Sequence, residues 1–263
     1  MIFSETALQN EHVLITGATG GIGYETAKVI ASMGASVTIT GRNENKLADL
    51  RKEMEEVTDK ICVHPTDITS DEARRALVEA ATDKLGFISG LVNSAGVAGN
   101  MKVEEMDESF LEELMDLNYY SAVMLSKQVY KKMIENERGA IVNVSSLSGL
   151  RGTFANTSYA GSKFALIGFT QSFAVEAIEQ GIRVNAVSPG FVNTEMGRQA
   201  IQRKASRNNR PFDEQMEDVK AGLPSGRITE PEEVANTIAF LLTDAARNIV
   251  GESVKISGGS VMR

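Results

Sequence analysis

Cysteine and histidine are almost missing from this chain of 263 residues: there is one of the first and two of the second. A lone cysteine excludes an internal disulfide and any thiolate metal cluster. Cys62, set in KICVHP, reads as a buried strand position without a chemical role. His12 and His64 form neither an HExxH pattern nor a close pair, so no metal site is expected and a histidine-based triad has few candidates. His64 precedes a proline and reads as structural. No apolar run approaches 18 residues, and MIFSETALQNEH lacks the basic head and apolar stretch of a signal peptide; the expectation is a cytoplasmic protein with no membrane partner. Positive charge is also short, with 27 Lys and Arg against 35 Asp and Glu, a net charge of −8. That balance argues against a nucleic-acid partner, which needs a broad basic face. No linker, low-complexity break or internal repeat divides the sequence, and 42% hydrophobic composition supplies a sizeable core. One domain over residues 1–263 is expected.

Short Val- and Ile-rich runs recur instead: HVLIT from His12, SVTIT from Ser36, ICVH from Ile61, GLVN from Gly90, AIVNV from Ala140, RVNAV from Arg183 and SVKI from Ser253. Continuous apolar runs of this length suit strands covered on both faces. Longer stretches with helical apolar spacing lie between them, including one continuous helix from Phe110 through FLEELMDLNYYSAVMLSKQVYKKMI. Such alternation predicts an α/β fold, a single doubly wound domain whose parallel seven-stranded sheet carries helices on both faces. The rhythm pauses at 195–222, a polar, basic stretch long enough for a substrate lid. It resumes where Thr229 is expected to cap a helix begun by Pro231.

The stretch VLITGATGGIGYETA sets glycines between the first strand and the first helix, where backbone N–H groups and a helix N-terminus can meet a pyrophosphate. The spacing is TGxxxGxG rather than GxGxxG, and it resembles the short-chain dehydrogenase/reductase family of doubly wound NAD(P)-binding enzymes. The resemblance extends over nearly the whole chain. NSAG, residues 93–96, is similar to the family's NNAG with Ser94 in place of the second Asn; TDIT around Asp67 resembles its adenine-side aspartate; SPGFVNT resembles its nicotinamide-side loop. These matches imply cofactor contacts from Thr16 and Gly17, then Thr19, Gly20, Gly21, Ile22 and Gly23. Further contacts are implied for Asp67 and Ile68, for Asn93, Ala95 and Gly96, and for Pro189, Gly190, Val192 and Thr194. At the end of the second strand, TITGRNENKL carries Gly41 where NAD-using relatives tend to carry Asp, and Arg42 follows. A basic residue there accommodates a 2′-phosphate, which favours NADP over NAD; against this, Arg42 can be a solvated loop residue, since the glycine-rich turn adds no second basic group.

One pattern, tyrosine then lysine four residues on, occurs twice, as YETAK (Tyr24, Lys28) and YAGSK (Tyr159, Lys163). Helical spacing puts each lysine on the face of its tyrosine. Tyr24 lies behind the phosphate turn, where packing or exposure to solvent is the expectation. Tyr159 follows Ser146 by thirteen residues, the spacing seen in the resembled family, beyond a strand ending at the ligand-binding edge of the sheet. Reducing a ketone requires a proton for an oxygen becoming an alkoxide, and a phenol of pKa about 10 needs a nearby ammonium to become effective. The expected roles are Tyr159 as general acid/base, Lys163 as its electrostatic partner and holder of the cofactor ribose, and Ser146 as donor to the substrate oxygen. Ser145 and Ser148 compete for the last role, with turn and cap hydrogen bonding as their alternative. Small Ala160 and Gly161 are expected to leave room for cofactor and substrate. The resemblance adds Asn118, whose backbone helps hold a relay water; a solvent-facing helical Asn is the alternative.

The leading reading is an NADP-dependent oxidoreductase of a small carbonyl or secondary alcohol substrate, with a homotetramer implied by the resemblance. GRITEPEEVANTIAFLLTDAARNIVGE is similar to 3-oxoacyl-acyl-carrier-protein reductases, a second reading. Glu137 and Gln180, however, stand where such enzymes commonly place basic residues for the acidic carrier, with Arg138 alongside. Arg198, Arg203, Lys204, Arg207 and Arg210 in the lid raise an anionic substrate against the alternative of a solvated helix face. A non-catalytic dinucleotide sensor or scaffold is the reading of another class. Ser257 stands where relatives carry an aspartate before the final paired glycines, so contacts there are expected to differ.

Overall fold

The computed structural model describes residues 3–262. Seven strands form, β1 (His12–Thr16), β2 (Ser36–Ile39), β3 (Ile61–Val63), β4 (Gly90–Asn93), β5 (Gly139–Val144), β6 (Ile182–Pro189) and β7 (Ser253–Ile256). All pair in parallel in one sheet of order β3-β2-β1-β4-β5-β6-β7. Strand order reverses between β1 and β4, which opens a crevice at their carboxyl ends. The connecting helices are α1 (Gly21–Ser32), α2 (Glu44–Met54), α3 (Asp71–Leu85), α4 (Glu108–Met115), α5 (Ser121–Glu135), α6 (Thr157–Ile178), α7 (Glu195–Arg207), α8 (Phe212–Ala221) and α9 (Pro231–Leu242).

Alternate strand residues feed two cores. Val13 and Ile15 of β1 pack with Ala27 and Ile30 of α1 and Val234 and Ile238 of α9. Leu14 between them packs with Leu77 of α3, Leu125 of α5 and Phe173 of α6 on the other face. Slipping β1 by one residue would exchange these sets, so the double burial holds the register that aims its carboxyl end at the crevice. His12, 3% exposed, ties β1 to its neighbours: Nδ1 donates to the Gly86 carbonyl at 2.9 Å, and Nε2 lies 2.8 Å from the Thr38 hydroxyl. Burial lowers its pKa, against the bond to Gly86. Cys62 is buried on β3 as expected.

The helical stretch from Phe110 runs on through α4 and α5, with αR backbone at both junctions and a π turn over Asp116–Tyr120 between them. One local expectation is corrected. Helix α9 is capped by Glu230, not Thr229. Glu230 and Glu233 form a reciprocal capping box, reinforced by Arg227 on Glu233 at 2.7 Å, while the Thr229 N–H is engaged with Phe191. A Cβ at Gly161 would meet nothing within 4 Å, so the space beside it is open. The 195–222 stretch is a helical hairpin, α7 and α8, around a small core of Ile201, Met216, Val219 and Ile228. Among the described residues no helix is long and apolar enough to cross a membrane.

Candidate active site

Helix α1 begins at the crevice without a side-chain cap and without an acidic residue in its first turn. Those features suit an anion. The turn before it is packed without space for side chains: Gly17 has φ +66°, and a Cβ there would stand 2.7 Å from Ala95 main-chain atoms. A Cβ at Gly23 would come within 2.4 Å of the Gly17 carbonyl oxygen, so helix and turn approach as closely as backbone allows. Thr16 binds the NSAG loop to this turn, its Oγ1 accepting from the N–H groups of Ser94 (3.1 Å) and Ala95 (3.2 Å). Across the crevice, the Thr194 methyl lies against Gly21. The cradle fits a pyrophosphate, and the residues on it fit a nicotinamide dinucleotide.

At the adenosine end, a Cβ on Gly41 would meet Thr19 Cγ2 at 2.9 Å, so an acidic side chain here would have to displace Thr19. Arg42 is exposed beside it. Asp67 accepts from the Thr69 N–H and hydroxyl, which hold its carboxyl below the usual range, and the Arg42 charge adds to the effect. The adjoining loop is anchored by Arg74, 5% exposed, which donates to the carbonyls of Ile68 (2.6 Å) and Thr69 (2.9 Å). Asn93 faces the other way. Its side chain joins Ser126 and Asn143 in a buried network, which leaves only its main chain to the crevice.

Ser146, Tyr159 and Lys163 meet where β5 ends and α6 begins. Ser146 Oγ accepts from the Ser148 N–H at 3.1 Å, leaving its own proton for another acceptor. Ser145 instead donates to the Lys163 carbonyl, and Ser148 Oγ accepts from Asn156, so both competing serines are engaged structurally. Tyr159 is half-buried; burial raises its phenol, and the Ser146 hydroxyl beside it counters part of the rise. Lys163, 5% exposed, lies one turn on with Nζ 5.7 Å from the tyrosine ring centroid. Its ammonium donates to the Val144 carbonyl at 2.9 Å, and desolvation pushes its pKa down to about 8.

Asn118 lies in the π turn and is 1% exposed, which overturns a solvent-facing side chain. Its amide brackets Val97, accepting from the N–H at 2.8 Å and donating to the carbonyl at 3.0 Å, and donates to Ser162 Oγ at 3.2 Å. Ser162 in turn donates to the Tyr159 carbonyl. Sequence reasoning missed Ser162, though it stands inside YAGSK; its hydroxyl links the motif to Asn118. Gly96 closes the cluster, for a Cβ there would be 3.0 Å from Asn118 Oδ1 and 3.5 Å from Lys163 Nζ.

YETAK has different partners. The Tyr24 hydroxyl donates to Glu53 of α2 at 2.6 Å, and Lys28 pairs with the same carboxylate at 3.0 Å. The cations of the 195–222 hairpin also separate: Arg198 lies over Phe212 and Arg210 pairs with Glu214 and Asp218, all within the hairpin. Arg207 reaches out to Phe154, 4.8 Å from its ring centroid, on the loop between Ser146 and Tyr159. Arg203, one turn before it, shares that helix face. Arg138 is engaged by Glu11 at 3.2 Å and by the Phe87 ring.

The family model described as short chain dehydrogenase matches residues 11–205. The 3-oxoacyl-[acyl-carrier-protein] reductase FabG of Rickettsia conorii is 34% identical over 249 residues, 95% of this chain and 96% of that protein. Among solved structures, a variant of actinorhodin polyketide ketoreductase with NADPH superposes with TM-score 0.92 at 31% identity, covering 95% of this chain and 97% of that one. Levodione reductase superposes with TM-score 0.91 at 29% identity, covering 96% and 98%.

Proposed function

The chain belongs to the short-chain dehydrogenase family and is an oxidoreductase of carbonyl and alcohol groups; from that premise we propose an NADP-dependent carbonyl reductase with Tyr159 as its proton donor. One observation carries this reading: the half-buried Tyr159 phenol stands between Ser146 and the buried Lys163 ammonium, one helical turn away. When bound, the nicotinamide supplies or accepts the hydride. Ser146, its oxygen already accepting the Ser148 N–H, directs its proton to the substrate oxygen and stabilises charge developing there. Tyr159 then gives its proton to that oxygen. Burial raises the phenol, which keeps its proton in place for that transfer. Lys163 keeps its charge near the phenol and has two further N–H groups for ribose hydroxyls. Asn118 holds the Val97 loop against this cluster, and its turn keeps a relay water beside Lys163.

The 2′-phosphate preference rests on Gly41, crowded by Thr19, and on Arg42 beside Asp67. The neighbour solved with NADPH supports it. We further propose one domain over 1–263 with a lid at 195–222, a cytoplasmic homotetramer, and a small-molecule substrate. Arg203 and Arg207 on the lid face toward Phe154 suit an anionic substituent. Similarity to FabG supports a second reading, reduction of a 3-oxoacyl group on an acyl carrier. Arg138, already engaged by Glu11 and Phe87, is a poor replacement for the basic positions taken by Glu137 and Gln180.

Replacing Tyr159 by Phe tests the reading. Turnover of a ketone panel falls about a thousandfold or more, while NADPH affinity, read from its fluorescence on binding, is retained. Near-normal turnover in that variant would refute the mechanism.

A further inference from the structure

Helix α2 and the lid meet at one ion pair. Lys46 Nζ lies 3.6 Å from Glu195 Oε2, with side chains 51% and 76% exposed. Glu195 is the first residue of α7, directly after Thr194, whose methyl lies against Gly21 of the phosphate turn. Lys46 also lines a cleft of about 330 Å³, together with Thr19, Gly20 and Gly21. Thr19 is also the side chain that crowds Gly41, so this one residue borders both the cleft and the end of β2.

We propose that Lys46 is the second cation for the 2′-phosphate of NADP, and that Glu195 occupies it until the phosphate arrives. This inference rests on the NADP reading above. Among the described residues lining the cleft Lys46 is the sole cation; the carboxylates of Glu25 and Asp49 share the lining and repel a phosphate, so Lys46 is the one charged side chain there that attracts it. Lys28, the other nearby ammonium, is held by Glu25 and Glu53. A phosphate monoester carries about −1.5 to −2 charges at neutral pH against one on a carboxylate, so it competes successfully for an exposed ammonium. Glu195 has a second place to go: Gln199 Nε2 donates to it at 3.3 Å, and the N-terminus of α7 favours a negative side chain. The exchange therefore strands neither charge. Because NAD lacks the phosphate, only NADP detaches the first turn of the lid from α2.

The test measures dissociation constants for NADPH and NADH, by fluorescence, in four proteins: wild type, Lys46→Gln, Glu195→Gln and the double variant. Lys46→Gln weakens NADPH about tenfold and leaves NADH nearly unchanged, which also shows that the variant is folded. Glu195→Gln tightens NADPH by a few-fold and has no effect when Lys46 is already Gln. Equal weakening of both cofactors by Lys46→Gln, or an unchanged NADPH affinity in Glu195→Gln, overturns the proposal. Wild type preferring NADPH with a ratio that Lys46→Gln preserves sinks only the role of Lys46. Wild type binding NADH as tightly as NADPH sinks the cofactor reading itself.

Discussion

Burial acts on Tyr159 and Lys163 in the same sense, against charge: the phenol is pushed up and the ammonium is pushed down to about 8. Below that value Lys163 is charged and Tyr159 is neutral, the pairing a proton donor needs. As pH rises through about 8 the lysine loses its proton, and the phenol loses the charge that makes it a stronger acid. The kcat/KM for ketone reduction, which reports the groups of the free enzyme, should therefore fall as pH rises above about 8. A profile flat to pH about 10, the ordinary range of a phenol, would contradict the assignment. His12 shows how differently a titratable side chain behaves when every ring nitrogen is engaged: burial keeps it neutral, and it serves the joint between β1, β2 and the end of α3.

At the level of elements, the two tyrosine–lysine pairs separate by what each helix packs against. Helix α1 faces α2, so Tyr24 and Lys28 converge on Glu53 and fasten the two helices; burial and the bond to Glu53 raise the Tyr24 phenol, which keeps it neutral. Helix α6 faces the end of β5 and the π turn, so Tyr159 and Lys163 meet Ser146, Val144 and, through Ser162, Asn118. Tyr24→Phe should cost no more than about 1 kcal/mol, because the bond is exposed, and should leave kcat unchanged. Denaturant melting and steady-state rates check both halves; a large loss of turnover would mean that YETAK also carries chemistry. The π turn was not legible because its residues, DLNYY, carry ordinary helical spacing. It forms where Asn118 turns its amide inward to Val97, a contact distant in sequence.

On the whole molecule, the exposed side of α6 carries Phe164, Gly168, Gln171, Val175 and Ile178, spaced as one stripe. Phe164 is 47%, Val175 68% and Ile178 41% exposed. A long helix with an apolar, glycine-containing stripe open to solvent is suited to a matching helix of a second copy, as a symmetric assembly requires. Replacing Val175 and Ile178 together by Glu should shift the mass measured by light scattering toward the monomer. A wild-type protein that is already monomeric would remove the homotetramer.

The order of Val- and Ile-rich runs, helical spacings and glycines determined by itself the parallel sheet, the phosphate turn, and the candidates Ser146, Tyr159 and Lys163. Each of those rests on neighbours in sequence: alternation along a strand, four-residue spacing on a helix, a turn that side chains would obstruct. Tertiary structure alone decided what faces across elements. It turned Asn93 into the core and Asn118 toward Val97, gave Glu53 to Tyr24 and Phe154 to Arg207, and brought Lys46 of α2 within reach of Glu195 at the start of α7. Side-chain partners lying tens of residues apart leave no periodic trace, because they are set by how two elements pack and not by the spacing within either.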